Sequence, residues 1–143
     1  MNIYNLGIEN AYISAKQNAA AFIAYGHCWA GASLAVNIEN SYVGENVTVI
    51  SEGAAGAVYA FGGATLSIKA CYSLGKINGE TAGFVGDNWG IKSISDSYMR
   101  GTPISGNVNN SIPCENVYAS DTTGGTGASV SYTHLTLPTT SRV

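Results

Sequence analysis

Five segments of this chain end on a tyrosine with similar residues in front of it, and that recurrence limits the fold more than any other feature. They read IENAY (8–12), IENSY (38–42), IKACY (68–72), ISDSY (94–98) and CENVY (114–118). The tyrosines Tyr12, Tyr42, Tyr72, Tyr98 and Tyr118 are separated by 30, 30, 26 and 20 residues. Four positions earlier stand Ile8, Ile38, Ile68, Ile94 and Cys114, and two positions earlier stand Asn10, Asn40, Ala70, Asp96 and Asn116. A unit of this length cannot bury an apolar face alone, so successive units must stack.

Between the tyrosines lies a second block, small residues followed by an apolar pair: AAAFIAY (19–25), AAGAVYA (54–60) and TAGFVGD (81–87). A third set, ASLAV (32–36), ATLSI (64–68) and GIKSI (90–94), has the period-two alternation of strands. Glycines punctuate all three, and no stretch has a sustained helical period. Charged residues make up 10% of the chain and glycine 18 of 143 positions, a composition suited to short strands and tight turns.

The expected fold is all-β, a parallel β-solenoid or right-handed β-helix built from irregular repeats of 20–30 residues. Each repeat column then becomes a ladder with rungs about 4.8 Å apart. The isoleucines would form an inner ladder. The Asn10, Asn40 and Asn116 column would form an amide ladder at a corner. Residues flanking each tyrosine are mostly apolar, so alternation turns the tyrosine outward. The alternative is that the rings fill the core.

Several function classes are disfavoured. The net charge is −3 with no Lys/Arg cluster, so nucleic acid is not an expected partner. The longest apolar run is far too short for a membrane span. Cys28, Cys71 and Cys114 are widely spaced, without a CxxC pair, which speaks against a zinc site or a disulfide framework. No cofactor is expected. His27 and Cys28 are adjacent and would face opposite sides of a strand. The glycines of 53–63 lack the lysine of a phosphate loop. Glu9, Glu39, Lys69, Ser95 and Glu115 precede the tyrosines by three positions. They read as a solvated charge column; as stacked carboxylates, Glu9 and Glu39 would repel. The candidate site is an exposed aromatic ladder of Tyr12, Tyr42, Tyr72, Tyr98 and Tyr118, suited to stacking on sugar rings. A ladder that only stabilises the sheet is the alternative.

The segment ACYSLGKINGETAGFVGDNWG (70–90) resembles the GLUG motif, a repeat of bacterial surface and secreted proteins. AFIA (21–24) and GAVY (56–59) depart from it by lacking one or both glycines of GFVG. The resemblance implies an extracellular or cell-surface, adhesin-like protein with a glycan or protein ligand and no catalytic residues. A fragment of a β-helical polysaccharide-active lyase or hydrolase is the other class left open.

The repeat gives residues 130–143, VSYTHLTLPTTSRV, no place. This tail resembles a translated sequencing adaptor. Read in frame, one strand of a transposon-library adaptor spells Val-Ser-Tyr-Thr-His-Leu-Thr-Leu-Pro-Thr, matching 130–139. Residues 1–129 are then expected to be a fragment of a repeat domain whose neighbouring repeats are lost, and 130–143 an artefactual, disordered tail.

Overall fold

A computed structural model describes residues 1–27, 32–100 and 114–119. The tail, 130–143, lies outside the described residues. Among the described residues the chain is all-β, as expected: thirteen strands and no helix. In chain order these are β1 (Asn2–Tyr4), β2 (Gly7–Ala15), β3 (Asn18–Ala20), β4 (Ile23–Gly26), β5 (Ala35–Glu39), β6 (Tyr42–Ser51) and β7 (Ala54–Gly62). They continue as β8 (Thr65–Lys69), β9 (Tyr72–Ser73), β10 (Lys76–Asn78), β11 (Thr81–Asn88), β12 (Ile91–Met99) and β13 (Cys114–Ala119).

Every strand pairing is parallel. The strands form a nine-stranded and a four-stranded sheet, the latter made of β3, β4, β7 and β11. In the larger sheet β1, β5, β8, β12 and β13 lie side by side, and β2, β6, β9 and β10 form a second run. The two runs join because β12 belongs to both: Ile94 pairs Ile68 of β8, and Tyr98 pairs Tyr72 of β9.

The bend between the two runs has a local cause. Asn5, Asn40, Ala70, Asp96 and Asn116 all adopt the left-handed conformation, with φ between 49° and 56°. Asn and Asp tolerate that region better than other side chains, so the polar column is a column of corners. Asn116 Nδ2 donates to Asp96 Oδ1 across one rung at 2.9 Å, an amide-to-carboxylate bond rather than the expected ladder of Asn10, Asn40 and Asn116, since Asn10 pairs Asn46 outside this column. At the corners of Asn40, Ala70 and Asp96 the next residue closes the turn again. Ser41 Oγ donates to the Glu39 carbonyl and accepts from Leu6 N–H. Ser97 Oγ donates to the Ser95 carbonyl and accepts from Cys71 N–H. Cys71 Sγ, in the same column, donates to the Lys69 carbonyl. A small hydrogen-bonding residue after the corner thus satisfies backbone groups that the turn takes out of the ladder.

The first unit corrects the sequence alignment. Ile3 pairs Ile38, Tyr4 pairs Glu39, and Asn5 takes the corner. Gly7, not Tyr12, lies opposite Tyr42, and Ile8 lies opposite Val43. The inner ladder is therefore Ile3, Ile38, Ile68, Ile94 and Cys114. Glu9 is not stacked on Glu39, so the expected carboxylate repulsion does not arise; Tyr4 occupies that place. Downstream, Ala11, Ile13 and Ala15 stack on Val47, Val49 and Ser51. That register packs the half-buried Ile8, Ala11, Ile13 and Ala15 against the core, whereas a one-residue slip would turn them outward.

The second block is shifted similarly. Asn18, Ala54 and Thr81 form one rung, so 19–25 aligns with 55–61 rather than 54–60. In the third set, 34–38 rather than 32–36 matches 64–68. Differences in unit length fall in turns and bulges. Ser73 and Lys76 pair with Val43 and Thr48, three steps against five.

The inward faces meet in one apolar core. Val36, Ile38, Leu66, Ile68 and Ile94 come from one run, Val43, Val47, Val49, Ile77 and Met99 from the other, and Ala55, Val58, Phe84 and Val85 from the smaller sheet. Tyr59 is also fully buried, and its hydroxyl donates to the Gly26 carbonyl at 2.7 Å. That seat exists because Gly26 and Gly62 carry no side chain. A Cβ on Gly26 would fall 2.4 Å from the Tyr59 hydroxyl.

Candidate aromatic sites

The tyrosines expected to form a ladder divide into two groups. Tyr42, Tyr72, Tyr98 and Tyr118 occupy one column, in register from β6 through β9 and β12 to β13. Their neighbours Ser41, Val43, Cys71, Ser73, Ser97, Met99, Val117 and Ala119 are all buried, and the tyrosines themselves are half-buried. The rings therefore project from the outer side and partly cover one another. Tyr42 and Tyr72 stack with centroids 5.1 Å apart and planes 9° from parallel. On its other side the Tyr42 ring lies across Gly7, where any Cβ would collide with it. The Tyr42 hydroxyl donates to a Glu9 carboxylate oxygen. Glycine opposite Tyr42 and a carboxylate at its tip fix the ring flat along the stack.

Tyr12 stands apart from this column. It lies opposite Thr48 in β6 and is 72% exposed. Tyr12 points outward, as alternation expects, but is not a rung of the column; IENAY resembles IENSY in letters without sharing its register.

A second aromatic group was not foreseen in the sequence. Tyr25 lies opposite Phe61 in β7, and Asp87 of β11 lies on Phe61's other side. Tyr25 and Phe61 stack with centroids 5.8 Å apart and planes 13° from parallel. Trp89 meets Phe61 edge-on at 5.5 Å and His27 at 6.4 Å. Tyr25 and Trp89 are each 57% exposed, far more than a ring serving only the core. The signal was there: Tyr25 closes the block AAAFIAY, and its true partner Phe61 sits one place past the end of AAGAVYA. The one-residue slip in the alignment hid the pair.

Beside this group runs an open groove of about 400 Å³, lined in part by Lys16, Glu52, Phe61, Glu80 and Asp87. The groove follows the turn between the second run of the large sheet and the small sheet. Among the described residues it carries three carboxylates against one ammonium.

Other chemistry-bearing residues stay dispersed. Among the described residues no three His, Cys, Asp or Glu side chains come together to hold a metal ion. Glu39 and Lys69 occupy neighbouring rungs. Arg100 approaches Glu45 at 3.9 Å on the surface, a contact that contributes little. Burial pushes the Cys71 thiol up to about 11 and raises Cys114 as well, so neither is poised as a nucleophilic thiolate. Cys28 lies outside the described residues. Among the described residues no helix is long and apolar enough to cross a membrane. The chain matches no family model, no curated protein and no solved structure.

Proposed function

We propose that this chain is a non-catalytic segment of a parallel β-solenoid, in an adhesin-like bacterial surface or secreted protein, presenting a binding face to an extracellular glycan or protein ligand. One observation carries the reading. Like residues of successive units pair in register, Ile38 with Ile68, Ile68 with Ile94, and Tyr42 with Tyr72 with Tyr98, so each unit leans mainly on its neighbours. The half-buried Tyr column and the exposed Tyr25–Trp89 group supply outward aromatic surface of the kind used in recognition. The GLUG resemblance of 70–90 supports the surface location.

Two experiments test this. A second copy of residues 40–69 inserted after Lys69 should fold and retain cooperative unfolding, because a stacked unit asks only for compatible neighbours. Collapse of the folded state would contradict the solenoid. In intact cells expressing the complete gene, external protease should cleave the product; full protection would remove the surface assignment.

A second reading, a fragment of a β-helical polysaccharide-active enzyme, draws on the groove lined by Glu52, Glu80, Asp87 and Lys16. Polysaccharide cleavage by the complete protein, lost on Glu52→Gln or Glu80→Gln, would favour it.

A further inference from the structure

We infer that Tyr25, Phe61 and Trp89, with the acidic groove beside them, bind an oligosaccharide of amino-hexose units. The inference deepens the proposed binding role by giving it a place and a ligand class. It rests on that reading only for the supposition that the chain meets glycans at all.

The cluster is built rather than incidental. Single exposed apolar side chains are ordinary, but contiguous exposed rings mark interaction sites. Here Tyr25 and Phe61 lie nearly parallel on neighbouring rungs, and the strand register holds them there. Trp89 is seated by Gly63: a Cβ at that position would come within 2.4 Å of the indole Nε1. The rings are thus fixed before any ligand arrives, and fixed rings lose little entropy on binding.

Phe61 belongs to both the ring cluster and the groove, so the two form one continuous surface. A sugar ring has an apolar C–H face that packs on an aromatic face, and polar groups at its rim. Among the described residues the groove offers carboxylates from Glu52 and Glu80, with Asp87 also lining it, against the ammonium of Lys16. Ammonium groups complement that charge, and they are also drawn to aromatic faces. A polyuronate would meet repulsion. Amino-hexose units satisfy the rings and the carboxylates together.

The test is titration of the protein with a glucosamine hexasaccharide, read by calorimetry and intrinsic fluorescence. Saturable binding is expected, weakening as salt rises, with a hexagalacturonate showing none. Trp89→Ala should weaken binding by at least about tenfold, as loss of a central aromatic anchor does. Tyr25→Ser, at a 57% exposed position, provides the same test should the tryptophan variant fail to fold. Glu80→Gln should weaken binding severalfold and flatten its salt dependence. Tyr42→Ala should leave binding unchanged.

Absence of saturable binding would overturn the inference, as would equal binding by wild type, Trp89→Ala and Tyr25→Ser. Equal affinity for the galacturonate would do the same. Concentration-dependent self-association abolished by Trp89→Ala would show that the rings instead meet a second copy of the chain. None of these outcomes bears on the inserted-unit experiment, so the solenoid reading stands or falls separately.

Discussion

Ala70 turns the chain at φ 52°, one rung along from Asn40, which turns it at φ 50° and donates its N–H to the carbonyl of Lys69 at 3.1 Å. The same corner is thus made by a residue suited to it and by one that is not. An alanine Cβ in the left-handed region is strained by about 1 kcal/mol, whereas asparagine tolerates the region and glycine has no Cβ. Ala70→Asn and Ala70→Gly should each raise the unfolding free energy by about 0.5–1 kcal/mol, read as a higher urea midpoint. A lowered midpoint for both would mean that the corner at 70 is not left-handed.

Ser73 lies fully buried between Val43 and Met99, and its hydroxyl has no hydrogen-bond partner among the described residues. The residue fills an apolar column with a polar atom. Ser73→Ala removes that atom at almost constant volume, so stability should rise by about 1 kcal/mol. Thermal and chemical denaturation of the pair of proteins measures it.

Gly62 adopts φ 137° and faces the Gly26 carbonyl, 1.9 Å from where a Cβ would stand. The nearest atom is backbone, so the strands of the small sheet must part to admit a Cβ. Gly62→Ala should cost at least about 3 kcal/mol and expose Tyr59, whose fluorescence and near-ultraviolet circular dichroism report its seat.

Burial sets the alkaline limit of stability. Cys71 rises from 9.0 to about 11 through desolvation, and Tyr59 is raised for the same first reason. Both are acids whose neutral form is favoured in the fold. Their contribution is fully present below pH 9 and falls as the unfolded chain ionises first. For Cys71 the fall is about 1.4 kcal/mol per pH unit between pH 9 and 11. Cys71→Ser places the residue of Ser41 and Ser97 in the same column, retains a donor to the Lys69 carbonyl, and should remove most of the loss between pH 9 and 10. An unchanged slope would mean that the thiol is not buried.

Much of the pairing from Ile38 onward was legible in the sequence, because repetition of side chains reports repetition of environment. Ile38, Ile68 and Ile94 share one ladder, and the position two places on, polar in Asn40 and Asp96 and alanine at Ala70, marks the bend. The register of the first unit is not legible in its own letters, for a physical reason. Asn5 and Asn10 are equally able to enter the left-handed region, and IENAY copies IENSY almost letter for letter. What decides between them is the packing of Ala11, Ile13 and Ala15 on Val47, Val49 and Ser51, together with the space Gly7 leaves for the Tyr42 ring. Those are cross-strand terms that no single segment displays. The Tyr25–Phe61 pair was lost to the same limitation, since a slip of one residue exchanges the two faces of a strand.

The register of the first unit against the second tests the account most directly. With Cys28, Cys71 and Cys114 replaced by serine, two cysteine pairs can be compared under mild oxidation. Tyr4→Cys with Glu39→Cys places the sulfurs on directly paired positions, within the span of a disulfide. Glu9→Cys with Glu39→Cys joins the positions that the repeated letters alone would stack. Peptide mapping should find the Tyr4–Glu39 pair crosslinked and the Glu9–Glu39 pair reduced; the reverse result would contradict the stacking described here.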